Sequence, residues 1–181
     1  MSKKHLTIKM GSKKLKIGYG VYGSGPALLL IHGIPGSSAC WNDAIEFLAD
    51  HFNVIVPDLI GFGESDRSND ITELWADSQA TAMRQLIDHL KAKELVVVGH
   101  DYGGPISLAL YSQAPELFKK LVLISTNTFT DTPIPFPLSG IFFPLIGRHW
   151  EKLLFSKKSL AMMVRGGFKV RTKKPLLDNY L

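Results

Sequence analysis

The stretch VVVGHDYGG, residues 96–104, decides the fold. Four apolar residues, Leu95 to Val98, run into Gly99. His100, Asp101, Tyr102 and the pair Gly103-Gly104 follow. A short apolar run bounded by glycines reads as a strand buried on both faces. The glycines beyond it predict a sharp turn into a helix. Asp101 then stands at the tip of that turn in a strained backbone conformation, with Gly99 and Gly103 leaving room for the bend. Its carboxylate would lie near the start of the next helix, where negative charge is favoured. The same turn aims the N–H of Tyr102 at a developing anion. An aspartate after a strand is also a common helix cap, so the stretch needs the rest of the chain to interpret it.

Outward from this point, strands and helices alternate. His5 to Met10 and Leu15 to Tyr22 are β-prone runs around Gly11-Ser12 and predict a hairpin. SGPALLLIHG, from Ser24, is a turn followed by a continuous apolar strand. Trp41 to Ala49 has helical spacing, with Trp41, Ile45 and Leu48 on one side. Asn53 to Val56 reads as a second buried strand, and Asp58 to Asp70 as loop. Met83, Leu86, Ile87 and Leu90 mark an amphipathic helix. A helix from Gly103 to Ser112 and a strand from Lys120 to Ser125 follow the quoted stretch. This order predicts an α/β fold with a mostly parallel sheet covered by helices. After Ser125 the character changes to a Pro-rich loop and short helical pieces. The expected organisation is therefore a core over residues 1–126 and the start of a helical lid over 127–181.

The bulk numbers exclude several classes. The chain has 181 residues, 45% hydrophobic and 20% charged, which suits a globular domain rather than a disordered one. A single cysteine, Cys40, excludes an internal disulfide. The basic N-terminus lacks the apolar core of a secretory signal, and no apolar run approaches a membrane span, so a cytoplasmic location is expected. The net charge of +5 is unevenly placed, with six lysines in the first sixteen residues. No zinc spacing or aromatic RNA-binding signature accompanies them, so they read as a solvated surface and not as a nucleic-acid site.

Sites in open α/β sheets form at the carboxyl ends of strands. Three such ends carry unusual residues: HGIPGSS (His32 to Ser38), DLIGFGESD (Asp58 to Asp66) and GHDYGG (Gly99 to Gly104). Together, in this order, they resemble the α/β-hydrolase superfamily over about residues 18–126. The Asp in Gly-x-Asp-x-Gly-Gly resembles the branch with an aspartate nucleophile, the epoxide hydrolases and haloalkane dehalogenases. The resemblance implies Asp101 as nucleophile and the N–H groups of Ile34 and Tyr102 as an oxyanion hole. A carboxylate suits an sp³ carbon bearing a leaving group, and the product is an alkyl-enzyme ester. The resemblance also makes His32 a brace for its loop rather than a base. Asp58 and its loop read as hydrogen-bonding and turn chemistry. His100 reads as a residue that supports the site from behind or packs beside it, and the tryptophans Trp41, Trp75 and Trp150 read as packing residues of core or lid.

The family's hydrolytic histidine and its acid partner follow later strands. None of His5, His32, His51, His89, His100 and His149 fits that place. The expectation is therefore a C-terminally truncated hydrolase that forms the ester and does not turn over. Haloalkane dehalogenases usually place a Trp after the nucleophile and often an Asn after His-Gly, where this chain has Tyr102 and Ile34. That favours a small hydrophobic epoxide as substrate over a halide; a dehalogenase, another hydrolase of this fold and a non-catalytic binding module are the alternatives. No ligand cluster appears, so neither a metal nor an organic cofactor is expected.

Overall fold

The computed structural model describes residues 3–126. The chain divides into two units, Met1–Thr128 and Phe129–Leu181. The described residues all belong to the first, and the expected lid, with His149 and Trp150, lies outside them.

Six strands form one mixed sheet: β1 (Lys4–Met10), β2 (Lys13–Tyr22), β3 (Ala27–Ile31), β4 (Asn53–Pro57), β5 (Leu95–His100) and β6 (Phe118–Ile124). Their spatial order is β1-β2-β4-β3-β5-β6. β1 and β2 form the expected hairpin, closed by Met10 opposite Lys13, with Gly11 at φ +57 in the turn. β2 also runs antiparallel to β4, whereas β4, β3, β5 and β6 are mutually parallel. Helices α1 (Asn42–Leu48), α2 (Ala76–Leu90) and α3 (Gly103–Gln113) connect them.

Alternation along the strands explains the continuous apolar runs. On β3, Leu29 and Ile31 face a core that includes Met83, Leu86 and Ile87 of α2 with Ile106 and Leu110 of α3. Leu28 and Leu30 face the other side, with Val54, Val56 and Ile45 of α1. A strand covered on both faces has no position that tolerates a charge. On the hairpin only one face is covered, so Ile8, Met10 and Ile17 are buried while Lys9, Lys14 and Lys16 are exposed.

Three details differ from the reading of the sequence. Trp41 closes a 3-10 turn, Ser38–Trp41, rather than opening α1, because the Ser37 hydroxyl accepts from the Ala39 amide and fixes a tighter start. β6 begins at Phe118, two residues before the expected Lys120, so Phe118 and the exposed Lys119 also lie within the strand. Trp75 is 58% exposed and is no core residue, since it stands at the extended step before α2.

Chain order places the site. From β3 the chain adds β4 on one side and later returns to add β5 on the other. The carboxyl ends of β3 and β5 are therefore neighbours at the point where the winding reverses, where crevices form in such sheets. The register pairs Ile31 with Gly99. His32-Gly33-Ile34 must consequently emerge beside His100-Asp101-Tyr102.

Candidate active site

Asp101 is held with φ +51, in the left-handed region. That conformation costs a non-glycine residue roughly 1–2 kcal/mol, so surrounding contacts must impose it. The Asp101 amide donates to the Ile124 carbonyl at 3.2 Å. Its carbonyl accepts from the Thr126 hydroxyl at 2.6 Å and from the Gly104 amide at 3.1 Å. The expected sharp bend is present, and Gly99 and Gly103 serve it through close approach. A Cβ on Gly103 would strike the Ile31 carbonyl, and one on Gly99 would strike the backbone of Gly103.

The side chain points at the loop after β3. The Ile34 amide donates to Asp101 Oδ1 at 2.9 Å. Among the described residues Oδ2 receives no hydrogen bond. Gly33 makes this approach possible, because a Cβ there would overlap the Asp101 side chain. Ile34 itself is 41% exposed, which leaves the rim of the site apolar and open. The Tyr102 amide makes no main-chain hydrogen bond among the described residues. The Tyr102 hydroxyl donates to the Leu74 carbonyl at 2.9 Å. Burial, with the Asp77 charge adding to it, raises the Tyr102 phenol above its ordinary value.

The loop over residues 32–38 is fixed from below. His32 is fully buried; its Nδ1 donates to the Gly33 carbonyl at 2.8 Å, and its Nε2 accepts from the Leu59 amide at 3.0 Å. Both ring nitrogens are thus engaged in the neutral form. Burial, outweighing the Gly33 carbonyl, lowers its pKa below the ordinary 6.5. At the far end of the loop the Ser38 amide donates to Asp58 Oδ1 at 2.8 Å. Asp58 Oδ2 accepts from the Glu64 amide at 2.9 Å and meets the Lys3 ammonium. Burial alone would raise the Asp58 carboxyl, but these donors outweigh it and hold it below its ordinary value.

Of the other histidines, His100 packs its ring edge-on against Trp41, with centroids 6.2 Å apart, as its reading as a packing residue anticipates. His5, His51 and His89 are exposed, on β1, before β4 and in the last turn of α2. Two contributors escape sequence reading. Gln79, 1% exposed, clamps both the amide and carbonyl of Ile60, at 3.0 and 2.9 Å. Its signal is a polar residue four before Met83, on the apolar face of α2. Lys3 carries no signal beyond being one of several N-terminal lysines. Among the described residues no cluster of three potential metal ligands occurs, and no helix is long and apolar enough to cross a membrane.

Comparison with known proteins identifies the fold family. A family profile described as the alpha/beta hydrolase fold matches residues 26–155. The soluble epoxide hydrolase of Corynebacterium sp. (strain C12) is 33% identical over 146 residues, covering 77% of this chain and 50% of that protein. Haloalkane dehalogenase 2 of Mycobacterium tuberculosis is 35% identical over 115 residues, covering 64% of this chain and 40% of that protein. The solved structure of the epoxide hydrolase CorEH without ligand superposes with a TM-score of 0.76 at 23% identity, over 99% of this chain and 67% of that one. The chain spans half or less of the length of these two curated relatives. With the mixed sheet, the bend at Asp101 and the match over residues 26–155, the chain belongs to the α/β hydrolase fold family.

Proposed function

We propose that this chain carries the nucleophilic half of a hydrolase site, with Asp101 attacking an sp³ carbon of a small hydrophobic epoxide. The single observation that carries the reading is the hydrogen bond from the Ile34 amide to Asp101 Oδ1. It divides the carboxylate into an oriented oxygen and one that, among the described residues, accepts no hydrogen bond. A lone pair of Oδ2 forms the new C–O bond while the ring C–O bond breaks. The ring oxygen leaves as an alkoxide and takes a proton from solvent water. The product is an ester through Oδ2, with Oδ1 as its carbonyl oxygen. When water attacks the ester carbon, charge develops on Oδ1, already placed against the Ile34 N–H, with the Tyr102 N–H as second donor. Removing one such donor typically lowers the rate by about 10²–10³-fold.

An epoxide is favoured over a halide by what flanks Asp101. A departing halide needs donors beside the nucleophile. Ile34 has no polar side chain, and the Tyr102 hydroxyl already donates to Leu74. An epoxide keeps its leaving group tethered and needs only one proton. The names of the relatives include both activities.

The test is intact-mass spectrometry of the full chain after incubation with styrene oxide and, separately, 1-bromobutane. A mass increase of one epoxide molecule, localised by peptide mapping to Asp101 and absent in Asp101→Asn, is the expected result. Labelling that persists in Asp101→Asn would overturn the assignment. Faster labelling by the bromide would replace the epoxide with a halide.

A further inference from the structure

We propose that Lys3, immediately before the edge strand β1, is a positioning residue for the Ile34 amide; the proposal rests on the reading of Asp101 as nucleophile. The loop over residues 32–38 is clipped at both ends by two consecutive residues. Leu59 holds His32 at one end, at 3.0 Å, and Asp58 holds Ser38 at the other, at 2.8 Å. Ile34 sits between the clips, and its amide orients Asp101.

The second clip is an ionised carboxylate with no exposure at all. A buried charge persists only when it is paired and hydrogen-bonded. Two amides, of Ser38 and Glu64, supply hydrogen bonds. The ammonium in contact with the carboxylate belongs to Lys3, whose side chain is itself only 16% exposed. The other charged or titratable groups around the pair are Glu64, 4.0 Å from the Lys3 ammonium, His5 beside Glu64, and His32 and Cys40 near Asp58. None of these places a second permanent cation on Asp58.

Without Lys3 the Asp58 carboxyl takes up a proton at a higher pH than in wild type. A protonated carboxyl presents a donor at one oxygen. That O–H faces either the Ser38 or the Glu64 N–H, and the amide loses its acceptor. The Ser38 end of the loop is released, and the Ile34 amide loses its fixed aim at Asp101. Lys3 thus acts on the site through Asp58 and Ser38, without touching it.

The experiment compares the full chain with Lys3→Met and Lys3→Arg. Amide ¹⁵N resonances of Ser38 and Glu64 are followed as pH is lowered. In Lys3→Met both should titrate with a common midpoint about one pH unit or more above wild type, the usual size of a close opposite-charge effect. Lys3→Arg should restore the wild-type midpoint. At pH values between the wild-type and the shifted midpoint the rate of ester formation with styrene oxide should fall about tenfold or more in Lys3→Met, and its acid limb should move by the same interval. An unmoved amide midpoint, or an acid limb unchanged in Lys3→Met, would overturn the proposal. If wild type forms no ester at all, the reading of Asp101 has failed, and the amide titration alone decides the role of Lys3. Should Lys3→Met not fold, ¹³C titration of the Asp58 carboxyl in wild type replaces it. The Lys3 side-chain resonances must follow the same midpoint, and independent titration would refute the pairing.

Discussion

The Ile34 amide and the Asp101 carboxylate meet at 2.9 Å although sixty-seven positions separate them. The contact follows from register. β3 and β5 are parallel neighbours, with Ile31 opposite Gly99. Each chain leaves its strand at the same edge of the sheet, and the bend at Asp101 turns its side chain across to the other. Gly33 completes the approach by presenting no side chain.

Substitution of that glycine should therefore uncouple site geometry from fold. In Gly33→Ala the new methyl group overlaps the Asp101 side chain, which must swing off the Ile34 amide. Ester formation with styrene oxide should fall about 10²–10³-fold, the cost of one oxyanion-hole donor. In Gly103→Ala the methyl group meets the Ile31 carbonyl, and main chain cannot swing aside. That variant should lose about 1–3 kcal/mol of stability or more, as overpacked cores do. Urea titration and labelling rates on both variants check the contrast. A Gly33→Ala protein that labels at the wild-type rate would contradict the geometry.

His32 predicts an acid limb of stability. Its pKa is lowered in the fold by burial, so the unfolded chain binds more protons as pH drops below 6.5. Stability contributed by neutral His32 is full above that value and is lost as pH falls from 6.5 toward the depressed folded value. Protonation also turns Nε2 into a donor facing the Leu59 N–H. Replacing the ring with Gln should flatten this part of the curve while lowering stability at neutral pH. Thermal unfolding between pH 4 and 8 measures it, and a His32→Gln profile parallel to wild type would refute the assignment.

How much of this was legible in the sequence divides by the range of the interaction. The strands β3, β4 and β5 announced themselves because apolar runs between glycines have few other uses. The bend at Asp101 was legible because Gly99 and Gly103 bracket it. The mixed character of the sheet was partly hidden, since alternation on β2 does not say that its second neighbour, β4, runs antiparallel. The supports of the site were hidden more deeply. Gln79 and Lys3 act on residues far away in sequence, and neither has a spacing that points to its partner. The first two residues of β6, Phe118 and Lys119, were missed, because a charged residue gives no sign of a strand until the strand's exposed side is known.

Cys40 should be chemically silent in the folded protein. Burial pushes its thiol up to about 12, so almost none is thiolate at neutral pH. The thiolate is the reactive form. Iodoacetamide at pH 8 should leave the native chain unmodified and alkylate it once in urea. Rapid labelling without denaturant would show that the loop around residues 37–41 opens readily.

Gln79 and Gln85 offer a controlled comparison on one helix. Each uses its amide to clamp both main-chain groups of a single distant residue. Gln79 holds Ile60, where all partners are buried. Gln85 holds the amide and carbonyl of Lys9 on the edge strand, at 2.8 and 2.9 Å, where both are exposed. Leucine at either position removes three hydrogen bonds, these two and a longer one to the Glu73 or Thr81 carbonyl, and keeps a good helix former. In Gln85→Leu the freed groups of Lys9 turn to water, and the loss should stay within about 1 kcal/mol. In Gln79→Leu the N–H and C=O of Ile60 are stranded away from solvent, and each buried group left unpaired costs about 1–3 kcal/mol. The Gln79 variant should therefore be the less stable by several kcal/mol in urea titration. It should also loosen residues 58–66, whose Asp58 and Leu59 hold the loop bearing Ile34. Equal losses in the two variants would mean that water reaches Ile60, and that α2 does not fix the floor of the site.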